Sequence, residues 1–130
     1  MSALSDQITS AIGAHNLWKA RLRTAIVTGS AEVSVDVVRD DRQCPFGKWL
    51  HESELVPEIA TSNHYQKCAG VHQRFHIIAS EILSLALSGK KEEALEKLSL
   101  GQEFAKTSLE LTNSMMSWKV SLEQRRSAAR

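Results

Sequence analysis

Two cysteines and two prolines are all that this chain of 130 residues carries of either type. A pair of thiols, Cys44 and Cys68, excludes the dense disulfide framework of small secreted domains and points to thiol or metal chemistry in a reducing compartment. Aromatics are scarce as well. Three Trp, one Tyr and three Phe are too few for the stacking platforms that hold single-stranded nucleic acid. Charge of one sign is also missing: 16 Lys and Arg against 15 Asp and Glu leave +1. That removes the electrostatic case for nucleic acid or an anionic membrane as a partner. No apolar run approaches the roughly 20 residues of a membrane span. The opening residues Met1-Ser2-Ala3-Leu4-Ser5-Asp6 show no basic stretch leading into an apolar one, so no secretory signal is expected and a cytoplasmic location is. The length suits one domain over residues 1–130, ordered from about 3 to about 125 and large enough to bury a core without staples.

What the chain does have is histidine, five in all, set among long segments that the two prolines, Pro45 and Pro57, leave uninterrupted. Leu4, Ile8, Ala11, Ile12, His15, Trp18, Leu22, Ala25 and Ile26 recur in steps of three and four, which predicts one helix over about residues 3 to 28, stopped by Gly29. Val33, Val35 and Val37 alternate with polar residues. That period of two predicts an extended connector over about residues 30 to 43, available for pairing across a symmetric partner. Cys44-Pro45-Phe46-Gly47-Lys48-Trp49-Leu50 reads as a short helix over about 45 to 51, with proline in the first turn where its missing N–H costs nothing. Pro57 opens a helix of about eight turns that ends near Ser88-Gly89. A short charged helix over Lys90 to Leu98 turns Ala94, Leu95 and Leu98 inward. Phe104, Ser108, Leu111, Met115, Trp118 and Leu122 then form a heptad-like seam that serves either the internal core or a dimer. The sum is an all-α, four-helix-bundle-like fold with a short extra helix that carries Cys44.

Candidate chemistry lies on these helices. His72 and His76 are four residues apart, hence on one helix face, where two imidazoles can share one Zn²⁺. A helical zinc protease needs Glu directly after the first His as its base; here Gln73 stands there, so that activity is not expected. His15 lies on the apolar stripe of the first helix. Cys44 begins a helix, where the macrodipole and free N–H groups favour the thiolate. Gly47 removes a side chain one turn later and permits close approach of a neighbour. Cys68 shares a column with His64, His72 and His76, but sits about 12 Å from His76 along the axis, too far for one tetrahedral ion, and reads as core filling. His51 and His64 have no partner at ligand spacing. His15, Cys44, His72 and His76 together complete an N₃S set suited to zinc.

The pattern His15-Asn16-Leu17-Trp18, Cys44-Pro45-Phe46-Gly47-Lys48-Trp49 and His72-Gln73-Arg74-Phe75-His76 resembles the chemoreceptor zinc-binding (CZB) domain family over most of the chain. The resemblance implies one zinc per chain held by His15, Cys44, His72 and His76. It also implies a tuning role for an acid shortly before the cysteine, with Asp40 and Asp41 both available. Homodimeric helical bundles that regulate chemoreceptor or cyclic-di-GMP output partners are implied too, as is a response to oxidants such as hypochlorous acid. No methyl-accepting coiled coil and no cyclase accompany the domain in this sequence, so it is either a stand-alone member or an excised module, and no enzyme activity is expected. Oxidation of the Cys44 thiolate, or filling and emptying of the zinc site, would order or release the short helix. Two other classes compete: a metal-free helical interaction module, separated by zinc content, and a small zinc hydrolase, which would need an open coordination position. A di-iron carboxylate bundle needs Glu-x-x-His pairs, and no Glu stands three residues before any His.

Overall fold

A computed structural model describes residues 3–53 and 61–128, and among them every regular element is helical. In chain order these are α1 (Ala3–Asn16), α2 (Trp18–Thr28), α3 (Val35–Arg39), α4 (Pro45–Ser53), α5 (Asn63–Leu87), α6 (Lys91–Leu98) and α7 (Glu103–Ala128). The expected start at Pro57 lies outside the described residues. The all-α bundle is what the periodicity predicts. The aligned α1 and α2, the 25-residue α5 and the 26-residue α7 form three long rods. Phe75 meets Phe104 and Tyr65 meets Trp118, so α5 and α7 run antiparallel. His15 meets His72 and Trp18 meets His76, so α1–α2 runs parallel to α5.

The core is one cluster. It draws Ile8, Ala11, Leu22 and Ile26 from the first rod, Cys68, Phe75, Ile82 and Leu83 from α5, and Phe104, Leu111, Met115 and Trp118 from α7. Burial of each large apolar side chain contributes about 1.5–3 kcal/mol relative to exposure. The Phe104–Trp118 seam is therefore internal, and it does not supply a dimer face. On α6, Ala94 and Leu98 are buried as expected, but Leu95 is 40% exposed: eight residues give barely two turns, and their inner stripe is narrow.

Two boundaries depart from the periodicity. The first rod is interrupted at Leu17, whose N–H turns back to the Ala14 carbonyl at 3.3 Å in a tighter i→i−3 turn. The stop at Gly29 holds: its φ is +72°, and its N–H reaches the Ala25 carbonyl at 2.8 Å. The extended connector over 30–43 is corrected, since Val35–Arg39 is helical. Ser34 caps it by accepting from the Val37 N–H at 3.2 Å, and Asp36 lies in its first turn. Those terminal interactions, with burial of Val38 against α5, outweigh the alternation of valines.

Candidate metal centre

The short helix α4 is held at both ends and by its aromatics. Phe46 is buried and stacks on Trp49, which in turn meets Trp118 of α7 at a centroid distance of 5.8 Å. The Tyr65 hydroxyl donates to the Leu50 carbonyl at 2.8 Å, satisfying an acceptor near the end of α4. At its start, Cys44 takes the capping position, and Sγ accepts from the Gly47 N–H at 3.3 Å. Gly47 is required by contact rather than by conformation. A Cβ there would lie 1.5 Å from the Asp41 carbonyl oxygen, so the 41–44 turn folds directly onto the helix it begins.

This clamp aims Cys44 at three histidines. Its Sγ lies 3.3 Å from His72 Nε2, 3.6 Å from His76 Nε2 and 4.0 Å from His15 Nε2. His72 Nε2 is 3.0 Å from His15 Nε2 and 3.1 Å from His76 Nε2. The four ligand atoms all lie within 4.8 Å of one another. Around a tetrahedral zinc with bonds of about 2.0–2.1 Å to nitrogen and about 2.3 Å to sulfur, the edges come to about 3.3 Å between nitrogens and about 3.6 Å from nitrogen to sulfur. Five of the six edges lie within about 0.4 Å of those lengths, and the cluster is positioned to bind one metal ion.

Hydrogen bonds on the far side of two rings set their tautomers. The Nδ1–H of His15 donates to the Ala11 carbonyl at 2.8 Å, and the Nδ1–H of His76 donates to the Val38 carbonyl at 2.9 Å. Each ring then turns the bare Nε2 lone pair inward, the form a metal needs. The connector corrected above thus has a purpose: α3 supplies the carbonyl that orients His76. All three rings are buried among Phe46, Phe75 and Trp18. Burial pushes His15 down to about 4 and His72 down to about 2, and it also lowers His76, against the opposing Val38 hydrogen bond. Neutral imidazoles at neutral pH carry no proton that a metal must displace.

The thiol behaves differently from the expectation set by its helix-start position. Burial raises the Cys44 pKa, and the N–H groups of Gly47 and Phe46 oppose that shift without reversing it. Without an ion the favoured form is therefore the thiol, which points toward the Asp41 carbonyl at 3.8 Å. Cys68 is fully buried, driven up to about 12 by desolvation, and outside the cluster. His51 is exposed, His64 is half-buried, and neither joins the cluster.

The two acids before the cysteine separate. The Asp40 carboxylate accepts from the Arg42 N–H at 3.0 Å and from Gln43 Nε2 at 3.2 Å, bonds that lower its pKa and make it a turn former. Asp41 faces the cluster, with Oδ2 3.8 Å from His72 Nδ1. No motif told these neighbours apart; only the folding of the turn onto Gly47 does. The sequence profile described as the chemoreceptor zinc-binding domain matches residues 15–83, a span that begins at His15 and contains the other three cluster residues. No curated protein and no solved structure shows significant similarity to the chain.

Proposed function

The chain belongs to the chemoreceptor zinc-binding domain family, and from that premise we propose that it is a regulatory zinc domain in which His15, Cys44, His72 and His76 are the ligands and Cys44 is the switch. The observation that carries this reading is the convergence of three Nε2 atoms, two of them on tautomer-fixed rings, on one sulfur at the start of a small, separately clamped helix. Zinc supplies the charge that keeps the sulfur as thiolate; everything else is done by the chain. With neutral imidazoles and one thiolate, the local charge is +1, and four protein ligands leave no position for a hydrolytic water. The role is therefore regulatory rather than catalytic.

An oxidant such as hypochlorous acid converts the thiolate to sulfenic acid. Sulfur gives up two electrons and gains oxygen, the O–Cl bond breaks, and chloride leaves. The oxidised sulfur is a poorer ligand and a poorer acceptor for the Gly47 N–H. Cys44 then loses its anchor on α5, and residues 44–51 loosen as a unit while Phe46, Trp49 and Leu50 remain the apolar hold. Removal of the ion alone does the same more mildly, since the thiol keeps the Gly47 contact. The output is read by a chemotaxis or cyclic-di-GMP signalling partner in the cytoplasm. No described helix is long and apolar enough to cross a membrane. We assign self-association to the face of α7 that bears Leu109, Met116 and Val120, each at least 44% exposed and spaced by seven and four residues, so that they lie on one stripe.

The test is metal analysis of unchelated protein followed by oxidant titration. About one zinc per chain is expected, released by hypochlorous acid with faster hydrogen exchange across 44–51. Protein without zinc rejects the site. Zinc release with unchanged exchange in that segment rejects the switch.

A further inference from the structure

Three imidazoles turn their Nε2 atoms inward, but only two have a partner for Nδ1. His72 is fully buried, and its Nδ1 has no hydrogen-bond partner. A buried imidazole nitrogen left unpaired costs about 1–3 kcal/mol, and metal-bound histidines almost always donate their second N–H to a carboxylate or carbonyl. The nearest acceptor is the Asp41 carboxylate, whose Oδ2 stands 3.8 Å away on a side chain that is 29% exposed. That distance is about 1 Å too long for a hydrogen bond. The backbone of Asp41 has no freedom to close it, because its carbonyl is packed against Gly47. The carboxylate is free to swing: Asp40, not Asp41, makes the turn's side-chain hydrogen bonds.

We propose that Asp41 is the positioning residue for His72, its carboxylate closing onto Nδ1–H when the zinc site fills. The same turn would then hold both ends of the metal–ligand set. Cys44 reaches the ion directly, and Asp41, three residues earlier, reaches it through His72. The 41–47 segment would be tied to α5 by two links, one through the sulfur and one through His72, both made while the site is filled. This inference rests on the zinc reading above, and it differs from any direct action of an acid on the thiol.

The experiment is zinc affinity by chelator competition on the full chain, together with imidazole N–H resonances of zinc-loaded protein labelled with ¹⁵N-histidine. Asp41→Ala is expected to weaken zinc binding about 10- to 100-fold. Asp41→Asn, which keeps a neutral acceptor and the side-chain volume, weakens it less and serves if the alanine variant does not fold. Asp40→Ala stays within about twofold. The His72 Nδ1–H signal is expected to shift or broaden in both Asp41 variants, while those of His15 and His76, held by backbone carbonyls, do not move. Unchanged affinity in the Asp41 variants overturns the proposal, as does lost affinity with an unmoved His72 signal. Wild-type protein that takes up no zinc overturns the metal site and this role together, whereas zinc-loaded wild type matched by Asp41→Ala overturns this role alone.

Discussion

The two halves of α5 share one helix and solve opposite problems. From Ala79 to Ala86 the buried residues are Ala79, Ser80, Ile82, Leu83 and Ala86. All but Ser80 are apolar, and Ser80 donates to the Ile77 carbonyl at 2.6 Å. That half needs nothing beyond the chain. From Cys68 to His76 the helix buries His72 and His76 beside His15 and points their Nε2 atoms at one another. Desolvation and mutual proximity oppose protonation there, and the four ligand atoms are positioned to take one metal ion. One half is stabilised by packing; in the zinc reading proposed above, the other takes part of its stability from the ion, and ligand loss would loosen one end while the bundle stays folded.

The sharpest way to break the contrast is at the sulfur. Cys44→Ser is expected to lower zinc affinity on the order of 10³-fold, about 4 kcal/mol, measured by chelator competition, with helical content by circular dichroism retained. Cys68→Ala, the control within the apolar packing, should stay within about threefold. Equal losses would transfer the ligand role to Cys68, against the geometry.

Leu83→Ala tests the other half. Leu83 is 2% exposed, and its truncation is expected to cost about 3 kcal/mol through lost burial and the cavity left behind. Urea unfolding should show nearly the same loss in metal-free and zinc-loaded protein, with zinc per chain unaltered. A loss of zinc stoichiometry in this variant would mean that the two halves are one cooperative unit and that the contrast is false.

The same division governs what the sequence reveals. The four-residue cluster was legible because His72 and His76 share a face at i and i+4, and because the Cys44–Trp49 block is distinctive. The rods were legible because long apolar periodicities are hard to mistake. Short-range competitions were not. Alternating valines at 33, 35 and 37 suggested extension, yet the Ser34 cap and burial of Val38 made α3 helical. The helix-start position of Cys44 suggested an easily ionised thiol, yet desolvation outweighs its N–H donors. The choice between Asp40 and Asp41 depends on a turn packed onto Gly47, a contact that residue spacing does not encode. Apart from the local Ser34 cap, the deciding quantity was tertiary: how much water the fold removes, and what it places alongside.

The smallest expected effect concerns protons. His15 and His72 titrate at about 4 and about 2 in the metal-free fold, and His76 is lowered as well, whereas in the unfolded chain all three titrate near 6.5. As pH falls through that value the unfolded state takes up protons that the folded state refuses, so stability present above about pH 6.5 is lost on acidification toward the lowered folded-state values. Between pH 7 and pH 6 His15 and His72 each contribute a loss of about 0.7 kcal/mol, and His76 adds to it in the same direction. Urea unfolding in the presence of chelator should show this loss. His72→Gln should reduce it by about 0.7 kcal/mol, while Leu83→Ala should leave the pH dependence unchanged although it lowers stability throughout. Zinc should raise stability throughout but leave this loss in place, because metal-bound imidazoles are as neutral as the buried free ones and the unfolded chain still takes up the protons. Equal acid sensitivity in metal-free wild type and His72→Gln would show that His72 is not the buried, proton-refusing base that the packing of α5 against α1 and α4 makes it.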